Sequence, residues 1–131
     1  MDLYQMENII TSQLSVRVPK ILDGKYLNIS FTNKQTEETP KFPNVYIHEL
    51  EPSEVGNSIP NQVIHAIRDT FQIDVTTNTT KTDARTVTNA CILAMKRLGF
   101  SVVTFPIYKK DNNLHRFVFR ARRVIANGDT F

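Results

Sequence analysis

Residues 71–100 read FQIDVTTNTTKTDARTVTNACILAMKRLGF, and a change of hydrophobic period inside this stretch decides the fold. Phe71, Ile73 and Val75 alternate with Gln72 and Asp74, the two-residue period that sends apolar side chains to one face of a sheet. Thr76 to Thr82 has nothing apolar to bury and reads as a polar turn. From Ala84 the spacing becomes three and four: Ala84, Val87, Cys91, Met95 and Leu98 make one stripe of a helix. Thr82 is placed to cap its start, with Asp83 near the positive end of the helix dipole and Lys96 and Arg97 near the negative end. Gly99 supplies the left-handed residue that ends a helix, and Phe100 opens another strand. The stretch therefore predicts a strand–helix–strand unit.

Upstream, Leu3, Met6, Ile10 and Leu14 fall on one helical face, which predicts a first helix over about residues 2–16, with Pro19 beyond its end. Residues 21–25 read as a turn and 26–31 as a first strand. Residues 33–41 are polar and charged and read as a loop. A second strand is expected over 44–50. Pro52, Gly56 and Pro60 exclude a regular helix or central strand over 51–61. Residues 62–75 are strand-like, with room for a bulge at 66–69. Downstream of the second helix, 100–108 is a strand whose Pro106 suits an edge or a bulge, 109–113 a hairpin turn, 115–125 a last strand and 126–131 a tail. The predicted order is α-β-β-β-α-β-β. One crossover and several hairpins give a mixed, mostly antiparallel sheet with two helices on one face, a two-layer α+β domain spanning residues 1–131.

The chain has 131 residues, enough to bury a substantial core as one domain. No run of about 18 apolar residues is present to span a membrane, and the first residues lack the basic start and apolar segment of a secretory leader, so a cytoplasmic setting is expected. The single cysteine, Cys91, lies on the apolar stripe and reads as a packing residue. The net charge of +3 is unevenly spread. Before residue 96 there are 8 Lys and Arg against 11 Asp and Glu, and from Lys96 onward 8 against 2. An acidic front and a basic back suggest a nucleic-acid face or two complementary protein surfaces.

Signals of catalysis are weak. His48, His65 and His115 lie on three predicted strands, without the spacing of a zinc motif. The four glycines are not spaced to cradle phosphate. Glu49, Glu51 and Glu54 form the densest acidic group, but no further carboxylate completes a metal-nuclease pattern. No nucleophile–base or acid–base pair can be read, so neither an enzyme nor a cofactor is expected. The strongest remaining signal is HRFVFRARRV at 115–124. Phe117 and Phe119 share one face of that strand, while Arg116, Arg120 and Arg122 share the other with Val118 and Val124. Such a strand is buried on one side and basic on the other, which suits a solvated face, a protein interface or phosphate contacts.

The stretches FPNVYIHEL at 42–50, FQIDV at 71–75, MKRLGF at 95–100 and RFVFRARR at 116–123, in this order, resemble tail-terminator proteins of long-tailed bacteriophages with non-contractile tails, also called tail-completion or head–tail joining proteins. The resemblance covers about residues 1–125. It implies a virion structural protein without catalysis, at the head–tail junction, assembled in the host cytoplasm. It further implies a six-membered ring of copies that caps the major tail tube protein, stops its polymerisation and meets the head-completion proteins, with DNA only passing through. Residues 51–62 occupy the place of an excursion that commonly contacts neighbours in that family. Head-to-tail rings need two different surfaces on each subunit. On this reading Glu49, Glu51 or Glu54 of one subunit faces Arg116, Arg120 or Arg122 of the next. The alternative is a small nucleic-acid-binding α+β domain that uses the basic last strand.

Overall fold

The computed structural model describes residues 2–34, 41–56 and 65–131. A short 3-10 turn at Leu3–Gln5 leads into helix α1 (Met6–Ile21). There follow strands β1 (Ser30–Thr32), β2 (Asn44–Glu49), β3 (Ser53–Glu54) and β4 (Ala66–Thr77). Helix α2 (Lys81–Arg97) and strands β5 (Ser101–Asp111) and β6 (Leu114–Ala126) complete the chain. The protein is an α+β fold with two helices on a mixed, mostly antiparallel sheet, ordered β1-β2-β4-β6-β5, with β3 paired to β4 beyond the end of β2. Among the described strands only the β1–β2 pairing is parallel. Because β4 and β5 both run antiparallel to β6, they are parallel to each other, and α2 is the crossover between them.

The alternation seen in the sequence sets the layers. Val45 and Ile47 of β2, Phe71, Ile73 and Val75 of β4 and Phe119, Ala121 and Ile125 of β6 are sealed from solvent on the helix side. Met6, Ile10, Leu14 and Val18 of α1 and Ala84, Val87, Cys91 and Met95 of α2 close over them. Phe71 meets Phe100 edge to face, with ring centroids 5.7 Å apart. Burying each of these large side chains contributes about 1.5–3 kcal/mol.

Several boundaries differ from the sequence expectation, each for a local reason. Helix α1 starts later and runs through Pro19, which lies inside its last turn. Proline cannot donate to the carbonyl of Ser15, but continuing the helix buries Val18 completely. The helix stops where Asp23 and Gly24 take left-handed conformations (φ 54° and 71°) and the Gly24 N–H donates to the Pro19 carbonyl at 3.2 Å. The strand expected at 26–31 is reduced to Ser30–Thr32, because Tyr26 is drawn away by its hydroxyl, which donates to Asp83 at 2.9 Å. The cap of α2 is Thr80, not Thr82: its hydroxyl accepts from the Asp83 N–H at 3.1 Å, and Lys81 and Thr82 project into solvent.

The bulge expected at 66–69 is absent. β4 pairs with β6 without interruption from Ala66↔Ala126 to Thr77↔His115. β4 is paired on both edges, so a bulge there would disrupt two ladders; β5 has a free edge, and the register shifts fall in it, around Val102–Ile107 and Pro106. Residues 51–56 contain the short β3 rather than loop alone. Of the loops expected at 33–41 and 51–61, residues 35–40 and 57–61 lie outside the described set. The last residues fold back rather than trail away: Asp129 Oδ2 accepts from the Ala126 N–H at 2.9 Å, and Phe131 packs against the core.

Candidate interface on the open sheet face

With both helices on one side, the other side of the sheet carries no layer among the described residues. Strand alternation decides what it presents. β2 contributes Asn44, Tyr46 and His48; β4 contributes Arg68, Thr70, Gln72, Asp74 and Thr76; β6 contributes Arg116, Val118, Arg120, Arg122 and Val124. Antiparallel pairing aligns these rows. Arg116 lies opposite Thr76, Arg120 opposite Gln72, and Arg122 opposite Thr70.

The three arginines expected on one face therefore do share it, but they are not equivalent. Arg116 Nη2 donates to Asp74 Oδ2 at 2.8 Å, an ion pair within the sheet. Arg120 Nε donates to Gln72 Oε1 at 3.1 Å. Arg122 is exposed and forms neither kind of contact with any described residue, so it is the cation of the three most open to an outside partner. Arg123, one residue on, points to the helix side. Its Nη1 donates to the Leu98 carbonyl at the end of α2 at 2.6 Å, its Nη2 to Asp129 Oδ2 at 3.1 Å, and Phe131 lies beneath the guanidinium.

Beside the arginines runs an apolar element. On the edge strand β5, Val103 and Ile107 are about half exposed and Phe105, inside the second register shift, is 84% exposed. Ile107 sits opposite Val118, and Val124 on β6 is 45% exposed. An aromatic ring that bare is unfavourable on an isolated subunit, and apolar surface rimmed by arginine is the composition of a protein contact. The sequence made Val118 and Val124 legible as neighbours of the arginines. Phe105 alternates with half-buried Thr104 and Pro106 as Val103 and Ile107 do with their neighbours, so its exposure follows the same two-residue period.

The acidic candidates separate in the same way. Glu51 and Glu54 are exposed, at the β2–β3 connection and on β3. Glu49 is different: it lies on the helix side of β2, its Oε2 is sealed from solvent, and its own N–H donates to Glu7 Oε2 at 3.0 Å. The structure thus withdraws Glu49 from the surface set, since strand alternation turns it inward with Val45 and Ile47.

The remaining polar groups do not converge. His48 stacks beside Tyr46 on β2, His115 Nδ1 is 2.8 Å from the Tyr108 hydroxyl, and His65 is exposed before β4. Among the described residues no three His, Cys, Asp or Glu are grouped to hold a metal ion. The Cys91 thiol is buried, and burial pushes it up to about 12. The groove between the C-terminal halves of the helices, about 620 Å³, is lined by Val16, Arg17, Lys20, Leu93 and Arg97 among others and is open and basic. No described helix is long and apolar enough to cross a membrane. The chain matches no known family model and no curated protein.

Proposed function

We propose that this protein is the tail terminator of a long-tailed bacteriophage: a structural subunit, without catalysis or cofactor, that closes with copies of itself into a ring, hexameric by resemblance. The ring caps the tail tube and joins it to the head-completion proteins. The observation that carries the reading is the sheet face that no described layer covers, where exposed Val103 and Val124 adjoin Arg122, Ile107 lies opposite Val118, and the same edge strand exposes Phe105. A subunit that works alone gains nothing from such a surface, whereas burying it against a neighbour removes apolar area from water.

In this arrangement Arg122 of one subunit faces Glu51 or Glu54 of the next, and the apolar strip supplies the affinity while the charges set orientation. The contact is head to tail, because the two surfaces differ, and a closing rotation turns such contacts into a ring. The test is to mix the purified chain with tail tubes and examine the tube ends by electron microscopy. Capped ends are expected, with loss of capping in Arg122→Glu and recovery when Glu54→Arg is added. Capping by Arg122→Glu equal to the parent would end the pairing, and uncapped ends with the parent would end the reading.

One observation favours the alternative of nucleic-acid binding: Tyr46 and His48, with ring centroids 6.3 Å apart, share the open face with Arg68, Arg120 and Arg122. Basic sheets with aromatic rings can stack and clamp single strands. Titration against short RNA and DNA at rising salt separates the two, since phosphate-driven binding collapses steeply with salt.

A further inference from the structure

On the helix side of the sheet, where β2 ends, two acidic side chains have no counterion among the described residues. Asp69 is completely buried, and neither of its carboxyl oxygens has a hydrogen-bond donor. Glu49 Oε2 is likewise sealed and without a donor. The β2–β4 register pairs Glu49 with Phe71, so Asp69 is the next residue along β4 on the same face, diagonally across from Glu49. Diagonal neighbours on one sheet face are within reach of long side chains.

The surroundings make the vacancy of donors sharper. From α1 comes Glu7, a third carboxylate, already engaged by the Glu49 N–H. From β6 comes Arg123, the cross-strand partner of Asp69, whose guanidinium is committed to the Leu98 carbonyl and Asp129. From α2 the inward residues are Cys91, Met95 and Leu98, and the Cys91 thiol stays neutral. β3 brings Glu54, which is exposed. Ionising Asp69 beside the sealed Glu49 oxygen is costly, because burial and the neighbouring carboxylate both oppose its charge. Giving one of them a proton turns the repulsion into an O–H···O bond, the arrangement of a carboxyl–carboxylate dyad.

We propose that Asp69 keeps a proton and donates it in a hydrogen bond to the Glu49 carboxylate, and that this bond is an alkali-sensitive clasp holding β2 to β4 where β2 ends and the chain passes to β3. Burial, then the hydrogen bond and charge of Glu49, push Asp69 up to about 9, with Glu7 adding to the rise. The folded chain therefore keeps a proton that the unfolded chain releases. The sign follows directly: stability from this group is complete below the ordinary carboxylate range and falls as pH rises through about 9. The clasp stands on the described residues alone and does not depend on the proposed ring.

The test is a carbon-13 NMR titration of the full chain labelled at its carboxyl groups, with melting curves across the same pH range. Expected are one protonated carboxyl of the pair at neutral pH, ionising with a midpoint shifted up towards about 9, and a melting temperature that declines from neutral to alkaline pH. In Asp69→Asn, whose amide donates to Glu49 without titrating, the decline between neutral pH and about 9 should be lost, while the further decline above it from the buried Cys91 thiol remains. Glu49→Gln is the second variant; it removes the neighbouring charge but leaves Asp69 buried, so the same decline should become shallower without vanishing. Two ionised carboxyls at neutral pH in the parent chain, or an unchanged alkaline decline in these variants, would overturn the clasp.

Discussion

Arg123 Nη1 reaches the carbonyl of Leu98 at 2.6 Å, so the last strand holds the end of the crossover helix. The last carbonyls of a helix lack intrahelical donors, and a guanidinium supplies both the hydrogen bond and the positive charge that end prefers. The same guanidinium binds Asp129 and covers Phe131, which ties the final residues into the fold. Gly99 makes the approach possible. At φ 89° it turns the chain, and a Cβ there would lie 3.2 Å from Arg123 Nε.

Arg123→Ala should lower stability by about 2 kcal/mol, the scale of a hydrogen bond to a charged group whose partner is left bare. Gly99→Ala should cost about 1 kcal/mol or more through its positive φ. Urea denaturation measures both. The two effects should be less than additive in the double variant, because Gly99 serves the contact that Arg123 makes.

The start of α2 depends on another short network. Thr80 accepts from the Asp83 N–H, and the Asp83 carboxylate accepts from Thr79 at 2.6 Å and Tyr26 at 2.9 Å. Thr80→Ala should cost about 1 kcal/mol. The Thr79 hydrogen bond, followed by that of Tyr26, holds Asp83 below its ordinary value. A depressed carboxylate contributes stability above its unfolded value, and that contribution is lost as pH falls through the folded one. Melting curves below pH about 3.8 should therefore show a shallower acid loss in Asp83→Asn than in the parent.

Cys91 offers a reporter of unfolding. Its side chain is sealed on α2 and burial holds the thiol protonated, up to about 12. Reaction with an aromatic disulfide reagent should be far slower in the native protein than in urea-unfolded chain. Its native rate should track opening of the core, and fast labelling of the folded chain would contradict the burial.

Phe105 separates folding from association. At 84% exposure it adds little to the core, so Phe105→Ser should leave the unfolding free energy of the isolated chain within about 0.5 kcal/mol of the parent. In the capping assay the same change should abolish or strongly weaken binding. A large loss of subunit stability would instead mean that the ring packs on its own chain.

Much of this architecture was legible from residue periods. The stripes of both helices and the alternation in β2, β4 and β6 are local consequences of backbone geometry, and every residue of the Ala84–Leu98 stripe is buried as its spacing requires. The separation of Phe117 and Phe119 from Arg116, Arg120 and Arg122 follows from the same rule. A boundary departed from it at Pro19, which stays inside α1, while Pro106 stands on an edge strand at a register shift, as a proline suits.

Sequence alone thus determined the element types, the buried faces and the basic character of the last strand, because these depend on side chains a few residues apart. Tertiary structure decided which charges are available. Asp74 takes Arg116, Leu98 and Asp129 take Arg123, and Glu49 turns in beside Asp69, leaving Arg122, Glu51 and Glu54 at the surface. Apart from Arg123 and Asp129, those partnerships join residues far apart in the chain, and their energies depend on distance and burial, which exist only once the strands have been brought into register.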